Sequence, residues 1–283
     1  MAQTVDSIPS VPYDSALYAP DALIEPIPSF ADITDPIVEQ YHELGFISVA
    51  HAFSPEKVEA ARIALVELVN SNIPEGTELQ FESEAKGILD KLKPEEKQDY
   101  VRKFMWFSHL NQATMDIMND PALIKVVETL LGGECEMFQD MALLKPPGFG
   151  REKPWHQDHA YFNVPKGTKV VGVWIALDET YPENGCMHFM PGGHKDGPLP
   201  HWNRRDWQIC DTDVLAKTGQ VATPLPAGGC LIFDGLTPHG TPTNKSNARR
   251  RALQYHYVLK DTPRITTAER VEIFGPDGED ATC

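Results

Sequence analysis

The chain is short of cysteine and of basic residues, and each shortage removes a class of function. Its 283 residues include five cysteines, at positions 135, 186, 210, 230 and 283. The number is odd and no Cys-x-x-Cys occurs, so neither a disulfide framework nor a zinc knuckle is indicated, and a reducing compartment fits best. Lysine and arginine total 25 against 41 aspartates and glutamates, a net charge of −16. A surface this acidic repels phosphate backbones and anionic lipid, so neither nucleic acid nor a membrane is an expected partner. No apolar run reaches the roughly 18 residues needed to cross a bilayer. Residues 1–28 lack the basic and apolar segments of a signal or transit peptide. The expectation is a soluble, cytoplasmic protein.

What is present supports a packed domain. Hydrophobic residues make up 41% of the chain, enough for a sizeable core, and 283 residues fit a single sandwich or barrel. Prolines at 9, 12, 20, 26 and 28 make residues 1–33 an irregular arm. A single domain then spans 34–274, and an acidic, loose tail covers 275–283. Helices are predicted over 35–44, from the Ser54-Pro55 cap onward, over 94–105 and over 112–131, so residues 34–133 read as mainly helical. From 134 to 262 the pattern changes to short strands separated by Gly, Pro and Asn, including 155–162 as one strand. Helices first and strands afterwards predict a mainly β fold, a jelly roll buttressed by N-terminal helices. Residues 197–218 lack a period and read as a long lid loop.

The chemistry concentrates in Trp155-His156-Gln157-Asp158-His159-Ala160-Tyr161-Phe162. On a strand, His156 and Asp158 share a face, which brings an imidazole and a carboxylate into one space. They supply two ligands of a 2-His-1-carboxylate triad, a set that leaves three metal positions open. His239, in Pro238-His239-Gly240 and 81 residues after Asp158, is the candidate third ligand. His188 and His194 are weaker candidates with structural or surface roles. His159 faces away from Asp158, and His51, His109 and His201 read as polar surface. In Arg249-Arg250-Arg251, alternation places Arg250 inward with Ala252, Gln254 and His256. A buried arginine requires an anion, and a dicarboxylic co-substrate supplies one.

Several further motifs stand in order: Val173-Trp174-Ile175-Ala176-Leu177-Asp178, Glu183-Asn184-Gly185-Cys186, Pro191-Gly192-Gly193-His194, and Asn244 ahead of Arg250. Together with Pro154-Trp155-His156-Gln157-Asp158 and Pro238-His239-Gly240, they make the chain resemble the phytanoyl-CoA dioxygenase family of iron(II)/2-oxoglutarate oxygenases. The resemblance covers about residues 35–260 and is strongest from Gln139 onward. Within the family it is most similar to the small domain-containing proteins whose substrates are not CoA esters.

The resemblance implies a double-stranded β-helix of the cupin-like kind. It implies iron(II) on His156, Asp158 and His239 and the far carboxylate of 2-oxoglutarate on Arg250. It further implies co-substrate contacts from Met141, Trp174 and Thr241, from Lys145 in some relatives, and from a lysine of the preceding region, matched here by Lys103. Gln139 is expected to face the substrate. Related halogenases lack the carboxylate, so Asp158 implies a hydroxylase or another oxidase that consumes O2 and releases succinate and CO2. Ascorbate is expected to help in vitro. Trp155 and Phe162 beside the metal pair, with Trp202 and Trp207 in the lid, predict a small, largely apolar substrate other than a CoA ester. The rival readings are a non-catalytic metabolite binder of the same fold and a His2Asp zinc hydrolase. Oligomeric state is left open.

Overall fold

The strands over residues 171–176, 230–234 and 250–259 are buried on both faces, and their alternation sorts side chains into two cores. Cys230 and Ile232 face one core with Val173, Ile175, Leu253 and Tyr255. Leu231 and Phe233 face the other with Trp174, Ala176 and Ala252. The period of two therefore survives although neither face is polar.

The computed structural model describes residues 3–6 and 11–281. Its first strands are β1 (Gln3–Val5), β2 (Ala22–Leu23), β3 (Phe46–Val49), β4 (Glu78–Phe81), β5 (Val101–Met105), β6 (Cys135–Lys145) and β7 (Lys153–His156). Then come β8 (Val171–Ala176), β9 (Met187–Phe189), β10 (His201–Asn203), β11 (Trp207–Ile209), β12 (Val221–Thr223), β13 (Cys230–Asp234), β14 (His239–Thr241) and β15 (Arg250–Leu259). Helices are α1 (Asp35–Leu44), α2 (Pro55–Asn70), α3 (Pro94–Lys97), α4 (Gln112–Met118), α5 (Pro121–Leu131), α6 (Asp211–Leu215) and α7 (Thr267–Phe274).

The large sheet runs β1-β4-β5-β6-β15-β8-β13-β3, and a second sheet runs β2-β12-β9-β14-β7. Met187, Phe189 and Val221 of the second sheet meet Trp174, Leu231 and Phe233 of the first, so the two sheets pack face to face. Helices α2, α4 and α5 cover the outer face of the large sheet through Leu65, Leu68, Ile117, Val127 and Leu130. This is the helix-buttressed double-stranded β-helix expected from the sequence.

Caps behave as the sequence predicts. The Ser54 hydroxyl accepts from Lys57 N at 3.4 Å to start α2. Gly45 ends α1 in the left-handed region at φ 86°. A Cβ there would sit 2.4 Å from the Thr237 hydroxyl, so only glycine fits.

Five expectations are corrected. The helix expected over 94–105 is one turn of α3 and a 3-10 turn followed by strand β5, because the β6 edge offers Leu143, Ala142 and Met141 as partners for 103–105. Tertiary pairing outweighs local propensity there. The helix over 112–131 breaks into α4 and α5, where Asp120 caps a new start at Pro121. The strand expected over 155–162 ends at His156 and turns into a 3-10 helix, Asp158–Tyr161. The arm is not irregular throughout: β1 pairs parallel with β4 and β2 with β12. The tail is not loose as far as it is described, since Arg270 Nη2 donates to Gly278 O at 2.8 Å and Gly278 packs against the Trp207 ring. No helix among the described residues is long and apolar enough to cross a membrane.

Candidate active site

The topology itself joins the two histidines. Strands β7 and β14 are antiparallel neighbours with His156 opposite His239, and their ring centroids lie 4.3 Å apart. Asp158, two residues beyond the end of β7, turns back on the 3-10 helix. Its Oδ1 lies 3.3 Å from His156 Nε2 and 3.5 Å from His239 Nε2. All three side chains are buried, and one ligand atom from each lies within 4.8 Å of the others. His156 Nδ1 contacts Pro154 O at 2.7 Å, and His239 Nδ1 contacts Thr237 O at 2.9 Å. A carbonyl only accepts, so both Nδ1 atoms carry the proton and both Nε2 lone pairs are free for a metal. Burial, then His239, lowers the His156 pKa to about 4, which keeps the ring neutral. For Asp158 burial acts upward, but the neighbouring His239 and His256 outweigh it, and the carboxyl stays well below its usual range.

The three ligands open onto a cavity of about 310 Å³. Arg250 lies deep in it and is 2% exposed. Its guanidinium stands 5.3 Å over the Trp174 ring, and Nη1 donates to Leu143 O at 3.3 Å. Arg250 Nε and Trp174 Nε1 are buried donors without a partner among the described residues. Burial lowers the Arg250 pKa to about 10. Its neighbours point the other way: Arg249 pairs with Asp99, and Arg251 with Asp178 at 2.7 Å. The inward assignment of Arg250 therefore stands.

The sequence model of the phytanoyl-CoA dioxygenase family matches residues 41–252. The chain belongs to the phytanoyl-CoA dioxygenase family. By membership it is a dioxygenase, an oxidoreductase. A Danio rerio phytanoyl-CoA dioxygenase domain-containing protein 1 is 25% identical over 263 residues, 80% of this chain and 90% of that protein. The peroxisomal phytanoyl-CoA dioxygenase of Bos taurus is 30% identical over 150 residues, 49% of this chain and 44% of that enzyme. The match thus spans less than half the length of the peroxisomal relative. Among solved structures, the non-haem alpha-ketoglutarate-dependent carbocyclase SnoK from nogalamycin biosynthesis aligns with a TM-score of 0.65 at 20% identity, covering 89% of this chain and 96% of that one. The epimerase SnoN in complex with Fe3+, alpha-ketoglutarate and nogalamycin RO aligns with a TM-score of 0.65 at 18% identity, covering 82% and 86%. These likenesses establish the shared fold.

Against the family pattern, Met141, Trp174, Thr241, Lys145 and Lys103 all line the cavity. Lys103 does so from strand β5 rather than from a helix. Lys145 Nζ donates to Arg151 O and lies 3.5 Å from Thr241 O. Burial, then Arg250, pulls its pKa well below the ordinary lysine value. Four expected substrate contacts do not line the cavity. Trp155 alternates away from His156, donates from Nε1 to Leu17 O at 2.8 Å and stacks on Tyr18. Phe162, carried behind the metal pair by the 3-10 turn, packs on Phe138 and His256. Trp202 faces outward at 38% exposure. Gln139 pairs with His256 on β15, one step past the end of the cavity lining at Gln254.

The segment over 197–218 is an ordered wall rather than an irregular loop, built from the β10–β11 hairpin and α6. Gln157 fastens it: its Nε2 donates to Gly197 O at 2.8 Å, its Oε1 accepts from Leu199 N at 2.8 Å, and its backbone N donates to His201 Nε2 at 3.0 Å. His201, expected at the surface, is thereby fully buried. The hairpin presents Asn203, Asp206 and Trp207 to the cavity mouth. Facing them, Arg102 bonds Asp6 at 2.7 Å and Asp206 at 3.2 Å, and Lys153 bonds Asp206 at 3.0 Å. This ionic rim was missed because its members come from four separate segments of sequence. Also missed were Gln254 and His256, whose shared face with Arg250 is legible in the alternation but whose task is not.

Proposed function

We propose that the chain is an iron(II)- and 2-oxoglutarate-dependent dioxygenase that oxidises a C–H bond of a small polar molecule, most simply by hydroxylation. The observation that carries this reading is the pairing, in one cavity, of a convergent His156–Asp158–His239 set with a buried Arg250 Nε that has no partner among the described residues. The donor set fits the metal: two neutral imidazoles with free Nε2 atoms and one carboxylate suit non-haem iron(II). When bound, iron(II) with 2-oxoglutarate and O2 supplies the oxidation, coupled to loss of CO2 and formation of succinate.

The chain's own residues bind, orient and exclude water. Arg250 offers its fork to the far carboxylate of the co-substrate, with the Trp174 ring beneath as a platform. Trp174 Nε1 and the Thr241 hydroxyl are further donors in the same wall. Burial of the ligands keeps bulk water from the reacting centre. The substrate enters beneath the β10–β11 hairpin. Of the four aromatics expected to contact an apolar body, Trp155, Phe162 and Trp202 do not line the cavity and only Trp207 does, and the rim is charged. A long alkyl chain laid across Arg102, Asp206 and Lys153 would strip them of water without returning hydrogen bonds. A body bearing hydroxyl or amine groups returns them.

The test is a mass-spectrometric screen with Fe(II), 2-oxoglutarate and ascorbate, across polar metabolites, free fatty acids and acyl-CoA esters. The expected result is succinate formed in step with a polar compound that gains one oxygen or loses two hydrogens. Turnover confined to acyl-CoA esters would refute the substrate assignment. Zinc-dependent hydrolysis without O2 uptake would refute the oxygenase.

A further inference from the structure

The metal ligand Asp158 is itself held, and by two residues of one strand. Its Oδ2 lies 2.7 Å from His256 Nε2 and 3.2 Å from Gln254 Nε2. Its Oδ1 is the oxygen that faces both metal-binding histidines. An ionised carboxylate only accepts, so a 2.7 Å contact fixes the His256 proton on Nε2. The 3.1 Å approach of Gln254 Nε2 to His256 Nε2 is then two donors aimed at one oxygen rather than a bond between them. Among the described residues nothing else orients the His256 ring but packing. It is fully buried, its Nδ1 has no partner among those residues, and the Phe162 ring stands 4.7 Å away. Gln254 lines the cavity and His256 lies behind it.

Building on the iron(II) assignment above, we infer that Gln254 and His256 are positioning residues that restrict Asp158 to one-oxygen ligation and so keep three metal positions open. The argument is one of counting. Two donors occupy the outward lone pairs of Oδ2, which leaves Oδ1 as the oxygen offered to a metal between His156 and His239. Two imidazoles and one carboxylate oxygen would supply three ligands to such a metal. Three further positions would then be left for a chelating 2-oxo acid and one other ligand. A carboxylate free to turn would close on the metal with both oxygens and remove one of those positions. The alternation of β15 places Gln254 and His256 on the face of Arg250, so one strand sets both the co-substrate's anchor and the metal's coordination number.

The experiment compares His256→Leu, Gln254→Leu and their double variant with His256→Gln, which retains a donor. Melting curves confirm folding. Co(II) titration then gives affinity, and the Co(II) visible absorption gives coordination number, without turnover. The two Leu variants and the double variant should lose about 10–100-fold in Co(II) affinity. At saturating Co(II) they should also show a changed visible spectrum and weaker 2-oxoglutarate binding. His256→Gln should recover most of each. Folded variants that match the parent within twofold in both affinity and spectrum overturn the inference. So does loss in His256→Gln equal to that in His256→Leu. If His256→Leu does not fold, Gln254→Leu and His256→Gln decide the question by the same readouts. Failure of the underlying iron assignment looks different: the parent itself binds no Co(II), or Asp158→Ala binds it as tightly as the parent.

Discussion

Arg250→Met separates binding from stability, because the two should move in opposite directions. In the unliganded protein the guanidinium is buried, and among the described residues its one hydrogen bond is the 3.3 Å contact to Leu143 O and no carboxylate touches it. Burial lowers its pKa from the ordinary 12.5 to about 10. That shift corresponds to a cost on the order of 3 kcal/mol for holding the charge at neutral pH. The sign is that of a base disfavoured by the fold: the penalty is full below pH 10 and is relieved only as pH rises through that value. Methionine keeps much of the volume and removes the charge, so the unliganded variant should melt at the parent's temperature or higher, on the order of 2 °C per kcal/mol recovered. Binding should change oppositely. Losing one partner of a buried charge-assisted pair costs about 2–5 kcal/mol, which is roughly 30-fold to several-thousand-fold in 2-oxoglutarate affinity. Differential scanning fluorimetry with and without 2-oxoglutarate, plus calorimetric titration of the metal-loaded protein, reads both. Arg249→Ala, which removes an outer pair with Asp99, should change affinity by less than twofold. A variant that melts several degrees lower while retaining parental affinity would refute the reasoning, since Arg250 would then be a structural cation and not an anion anchor.

Three other outcomes follow from the same geometry. Asp158→Ala should abolish Fe(II)-dependent succinate formation while the far-UV circular dichroism stays that of the parent; unchanged turnover would remove Asp158 from the metal. Trp207→Ala should cost about 3–5 kcal/mol in urea unfolding, because the ring is buried against Gly278 and Gly275. Trp202→Ala, at an exposed position, should stay within about 0.5 kcal/mol. Burial pulls the His201 pKa to about 3, so its neutral form stabilises the fold fully above its unfolded value near 6.5, and that contribution is lost as pH falls from there toward 3. Urea midpoints at successively lower pH should decline less steeply in His201→Gln than in the parent, and equal slopes would deny His201 this role.

The chain's chemistry was legible in its residue types and spacings. The alternation of Arg250-Arg251-Ala252-Leu253-Gln254 identified an inward arginine because strand geometry is local, and the β13 strand over 230–234 was readable for the same reason. Capping at Ser54 and termination at Gly45 involve only neighbours in sequence, and these too were readable. Prediction failed wherever a partner distant in sequence decided the outcome. Residues 101–105 became a strand because the edge of β6 was available, and helical propensity was too weak to resist it. Trp155 turned from the metal because the arm supplied Leu17 and Tyr18 as a better socket. His201 was buried because Gln157 reached across 44 residues to hold it. The sequence by itself thus determined the candidate ligand set, the inward arginine and the family. Which aromatics line the cavity, what the cavity mouth is made of, and what holds Asp158 were decided only when the sheets closed, since these depend on contacts among segments that no local pattern relates.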